Sequence, residues 1–106
     1  MSAEVRLTQV DSGRWRLQGG LDFGTVTSLA LAGKRLLRDA GRPDADTLVI
    51  DLAEVDSANS AGLALLLEWL DVARARDIHL SYANVPDSLR RIAAFSNLQD
   101  VLPIAV

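Results

Sequence analysis

Ser60 is the residue of this chain whose type and surroundings best suit modification or recognition: it closes the small, polar run Asp56-Ser57-Ala58-Asn59-Ser60 and opens the apolar run Ala61-Gly62-Leu63. At a helix start its hydroxyl can accept a hydrogen bond from the N–H of Gly62 or Leu63, which is the purely structural role of an N-cap. The same position favours negative charge, because free N–H groups and the helix dipole point there, so a phosphoryl group on Ser60 would be tolerated and readable by a partner. The two roles are compatible. Catalysis has less to work with. His79 is the one histidine and there is no cysteine, so zinc would have to rely on carboxylates almost alone. Ser60, His79 and Asp51 can be written as a triad, but no Gly-x-Ser-x-Gly elbow accompanies them. Gly19-Gly20 is followed by no phosphate-binding motif, and Asp44, Asp46, Asp51, Glu54 and Asp56 lack the spacing of a calcium loop and read as a solvated rim. We expect no enzyme activity, no cofactor and no metal.

Positioning Ser60 requires a strand before it and a helix after it. Thr47 to Leu52 is a short, nearly continuous apolar run of the kind found in a central strand covered on both faces. Ser60 to Asp77 is long, apolar and charged toward its end, as a helix would be. Before them, Glu4 to Val10 and Arg14 to Leu17 alternate around Asp11-Ser12-Gly13, which predicts a hairpin. Phe23 to Ala40 then has helical spacing, with Asp22 as its candidate N-cap and Gly41 and Pro43 as its stop. Beyond the Ser60 helix, Ile78 to Ala83 reads as a strand, Pro86-Asp87-Ser88 opens a helix, and Val101 to Val106 reads as a last strand. The order β-β-α-β-α-β-α-β predicts an α/β fold, a mixed sheet of about five strands with helices packed against it, in one domain over residues 1–106.

With 106 residues, of which 49% are apolar, the chain has enough to bury without staples, and the absence of cysteine fits a reducing compartment. No apolar stretch approaches the roughly 20 residues needed to span a bilayer, so direct membrane insertion is not expected. A net charge of -3 and five aromatic residues offer neither a basic stripe nor stacking platforms for nucleic acid.

The helix after Ser60 has more apolar surface than a sheet can cover. Leu63, Leu66, Leu67 and Leu70 share one face, whereas Leu65, Trp69 and Val72 fall nearly opposite, with Glu68 and Asp71 between. The second stripe either packs on a neighbouring helix or forms an exposed protein-binding patch. Ala61 and Gly62 keep the helix start narrow, either for a docking partner or for close packing near Asp22 and Phe23. The candidate partner-binding set is therefore Asn59, Ser60, Ala61, Gly62, Leu65 and Trp69.

The stretch Leu48 to Leu70 resembles the STAS domain of anti-anti-sigma factors and anion-transporter tails, in which a strand ending in Asp-Leu leads to an Asp-Ser-(Ser/Ala)-Gly-Leu loop. Here the loop reads Asn59-Ser60-Ala61-Gly62-Leu63, and Leu17-Gln18-Gly19-Gly20-Leu21-Asp22 is similar to the family's Leu-x-Gly-x-Leu-Asp signature. Ala64-Leu65-Leu66-Leu67 and the short C-terminal end are most similar to the MlaB type, the small STAS subunit of Mla phospholipid-transport ABC systems. That resemblance implies a cytoplasmic, non-catalytic adaptor, peripheral at the inner membrane, which binds an MlaF-like ATPase subunit and through it a membrane permease. The wider family implies the alternative of an anti-sigma-factor antagonist whose kinase partner phosphorylates Ser60. Asn59 stands where phosphorylated members carry Asp, so the acidic neighbour of the acceptor serine is missing. Asp56-Ser57-Ala58 gives another register but lacks the following Gly-Leu.

Overall fold

In the computed structural model, residues 5–39, 47–98 and 100–104 are described. The expected strand start at Glu4, the helix stop at Ala40, Gly41 and Pro43, the acidic residues Asp44 and Asp46, and the chain end at Ala105 and Val106 lie outside them.

The alternating segments form a hairpin of β1 (Arg6–Asp11) and β2 (Arg14–Leu21), turning at Gly13 with φ +80. The rest of the sheet is parallel: β2 pairs with β3 (Thr47–Ala58), and β3 with β4 (His79–Ala83). Helices α1 (Val26–Asp39), α2 (Ser60–Ala75) and α3 (Asp87–Phe95) make or follow the crossovers. The sheet is mixed, as expected, and its strand order is β1-β2-β3-β4.

Three expectations need correction. The described sheet has four strands, not about five. The described part of the segment read as a last strand, residues 101–104, contributes a single parallel bridge, Ile104 with Tyr82, and one hydrogen bond from Tyr82 N–H to the Pro103 carbonyl (2.9 Å). Proline has no N–H to give to a ladder, so an apolar composition does not suffice there. β3 is also longer than the apolar run: Ala53 to Ala58 continue the strand through two register shifts against β2. Finally, β3 is closed on one face rather than both. Leu48, Ile50 and Leu52 are buried by apolar neighbours, whereas on the other face Val49 is half-buried, Ala53 is exposed and Asp51 is buried only against polar partners, Arg14 among them.

The core lies between the sheet and α2, which α1 and α3 flank. Leu63, Leu66 and Leu70 of α2 meet Leu17, Leu21, Ile50, Leu52 and Leu80. Tyr82, fully buried, donates its hydroxyl to the Leu66 carbonyl at 2.7 Å, and burial pushes the Tyr82 phenol well above its ordinary pKa. The second apolar stripe of α2 is also covered: Leu65 is 3% and Trp69 0% exposed, and Val72 is half-buried. A Cβ at Gly33 of α1 would run into the Trp69 indole. The stripe therefore packs on a neighbouring helix, and Trp69 presents no surface to a partner.

Candidate functional site

Because β2 and β3 are parallel, they end side by side. Leu21 is the register partner of Ala58, and Asn59 donates its N–H to the Leu21 carbonyl at 3.1 Å. Two helices start from this rim. Asn59 is held extended, at φ -119 and ψ -168, and its Oδ1 accepts from the Ala61 N–H at 2.9 Å while its backbone carbonyl accepts from Gly62 N–H at 2.9 Å. Asn59, not Ser60, is thus the N-cap. Ser60 is already in the helix, so its hydroxyl is carried outward: it is exposed and makes no hydrogen bond to a described residue.

The neighbouring helix, expected from Phe23 with Asp22 as its N-cap, begins three residues later at Val26, and Asp22 instead ties down the turn that precedes it. Its Oδ1 accepts from Gly24 N–H (2.8 Å) and Thr25 N–H (3.1 Å), and Thr25 Oγ1 both donates to the Gly20 carbonyl (2.8 Å) and accepts from Asp22 N–H (3.0 Å). This cross-linked turn holds Phe23 73% exposed. Helical spacing alone does not mark this exposed ring, since it places Phe23 in a helix like any other apolar residue.

Between the two starts runs a groove of about 340 Å³, walled by Phe23, Val26 and Ala30 from one side and Ala61, Ala64 and Leu65 from the other. Glu68, which also lines it, pairs with Lys34 at 3.1 Å and ties the two helices together. Among the predicted set, Ser60 stands exposed beside the groove, Asn59 is half-buried, and Ala61 and Leu65 contribute only the edges that line it. Gly62 faces inward: a Cβ there would meet Leu21 Cβ at 2.8 Å, so the glycine serves close packing on β2 rather than a docking surface.

The triad that can be written from Ser60, His79 and Asp51 is not brought together. His79 opens β4 opposite Thr47, at the far end of β3 from Ser60. Asp51 is engaged elsewhere: its Oδ2 lies 3.1 Å from Arg14 Nη2, and its Oδ1 accepts from Asn84 Nδ2 (3.0 Å) and Ala53 N–H (2.9 Å). Burial raises the Asp51 carboxyl, but the hydrogen bonds from Asn84, Ala53 and Arg14, with the Arg14 charge, outweigh it and hold the pKa below its ordinary value. This network fastens β2, β3 and the turn after β4; it is structural. A lone carboxylate in an apolar run signals that a partner exists, though not that Arg14 and Asn84 are the ones.

The family model described as "Mlab, STAS domain" matches residues 6–103. The chain belongs to the STAS family. No curated protein matches its sequence. Among solved structures, this STAS domain is similar to the anti-sigma factor antagonist SpoIIAA in its unphosphorylated form, at 19% identity and TM-score 0.71 over 97% of this chain and 89% of that one. It is similar to the phosphorylated form of the Bacillus protein at 17% identity and TM-score 0.67, covering 97% and 92%. An anti-sigma factor antagonist from Mycobacterium paratuberculosis is 21% identical, with TM-score 0.68 over 98% and 89%. These likenesses establish the STAS fold.

Proposed function

We propose that this STAS domain is a non-catalytic adaptor that binds the cytoplasmic, MlaF-like ATPase subunit of an Mla-type phospholipid-transport ABC system and supports its assembly or activity. It reaches the inner membrane only through that ATPase and its permease. The observation that carries the proposal is the exposed Ser60 hydroxyl, left out of capping by Asn59, beside an apolar groove with Phe23 at its mouth. The Mlab description of the matching family model supports the choice of partner. Exposed aromatic and small apolar residues around a central polar group suit a protein interface better than a small-molecule site. Ser60→Arg, with the ATPase co-expressed, is expected to abolish co-purification while leaving the melting temperature unchanged. Co-purification at the wild-type level would overturn the site.

The second reading is an anti-sigma-factor antagonist switched by phosphorylation of Ser60. It is favoured by the same exposed hydroxyl and by the described roles of the similar solved structures. A phosphoryl group would add about -1.5 to -2 charges at the mouth of an apolar groove and repel an apolar partner. Asn59 in place of an aspartate weighs against it. Mass spectrometry after incubation with the host's serine kinases decides: without phosphate on Ser60, the switch has no mechanism.

A further inference from the structure

Trp69 is the largest fully buried side chain, yet its Nε1 donates to no described residue. A buried donor without an acceptor costs stability, and native structures hold few of them. Packing alone therefore does not account for an indole at this position, since an apolar ring without a donor avoids that cost. The unbonded edge of the ring rests on Gly33 of α1, where an added Cβ would run into Nε1 and Cε2. Gly33 and Trp69 each stand about one helical turn beyond a residue that lines the groove beside Ser60: Gly33 beyond Ala30, and Trp69 beyond Leu65. The contact and the groove are thus two levels of the same α1–α2 seam.

We infer that Trp69 is a positioning residue for this groove: wedged on Gly33, its indole sets the separation of α1 and α2, and with it the width of the slot that an apolar side chain of the docking partner enters. The use of that width rests on the groove being the docking site proposed above. The axes of packed helices lie about 8–10 Å apart, at a distance set by the side chains at their contact. Along this seam small residues recur, with Ala30 and Gly33 on α1 and Ala61 and Ala64 on α2. Such residues let helices approach closely, which would close the groove. Trp69 stands between the helices one turn below it and holds them apart. The Lys34–Glu68 pair also spans the seam, but both side chains are about half exposed, and two long side chains in water tie the helices without fixing their distance. Trp69 thus acts on a partner that it does not touch, with Gly33 as its counterpart on α1.

The Cβ separation of Ala30 and Ala64 across the groove, measured in crystal structures of the free chain, tests it without a partner. Trp69→Phe is expected to narrow the groove, Gly33→Ala to widen it, and the double variant Gly33→Ala/Trp69→Phe to return it toward the wild-type width. A purely structural role would lower the melting temperature of both single variants without moving the groove in opposite directions. Affinity for the ATPase subunit is expected to fall at least about tenfold in each single variant and to recover in the double variant. The two single variants address one contact from its two sides, so if one does not fold the other decides. The assignment is overturned if neither single variant changes the separation, if both change it in the same sense, or if the separation changes while affinity stays within about twofold of wild type. A wild-type chain that binds no ATPase, with the separation responding as stated, would remove the docking site and leave the hold of Trp69 on the α1–α2 spacing in place.

Discussion

Asn59 and Ser60 divide between them what a single residue often does at a helix start. Asn59 accepts the Ala61 N–H and so carries the capping energy, while Ser60 keeps its hydroxyl in water. Asn59→Ala is expected to cost about 1 kcal/mol in urea unfolding, and Ser60→Ala to stay within about 0.5 kcal/mol; equal losses would contradict the cap. The small, polar run before a leucine-rich stretch makes the helix start legible, but Asn and Ser are equally good caps, so only the extended backbone of Asn59 decides between them. Asp51 shows the same limit. Its charge in an apolar strand is conspicuous, yet its partners lie 37 and 33 residues away and depend on strand register. Its carboxyl is held below the ordinary value of 3.8, so the folded state binds its proton less readily than the unfolded chain. The stabilisation is therefore complete above that ordinary value and is lost as pH falls through the lower, folded pKa. The stability difference between wild type and Asp51→Asn should be largest near neutral pH and shrink in acid below about pH 4; a difference that stays constant into acid would refute the linkage.

At the scale of elements, α2 spends two faces on its own domain. Leu63, Leu66 and Leu70 cover the sheet, and Leu65 and Trp69 close against α1. That α2 carries two stripes was legible from spacing; that Gly33 receives the indole was not, because helical periodicity gives glycine no sign of what approaches it. Gly33→Ala should overpack this contact and cost about 1–3 kcal/mol, with Trp69 fluorescence shifted to the red as water reaches the ring. An unchanged spectrum with unchanged stability would mean that the helices separate freely. The miscounted strand has an equally local cause. Val101 to Val106 has the composition of a strand, but with Pro103 in it the described part is limited to one bridge on Tyr82. The start of α2 and its groove depend on neither error, since both are built where β2 and β3 end together.

At the scale of the molecule, the parallel crossovers put the starts of α1 and α2 at one rim, where β2 and β3 end together. Fold class and the order of the first seven elements were legible because hairpin, crossover helices and apolar strands each have their own period; which face stays open was not, because it depends on what packs beside it. The strand order β1-β2-β3-β4 has a consequence for how the molecule is made. Each strand joins an edge that already exists, and none has to insert between two formed neighbours, so assembly can follow translation from the N-terminus. Ribosome-stalled chains extended so that Ala75 has cleared the exit tunnel should already protect β2 and β3 from protease, whereas protection that begins only once Phe95 has emerged would exclude this route. Until β4 arrives, the outer edge of β3 is the unpaired stretch that a chaperone at the ribosome would most need to shield.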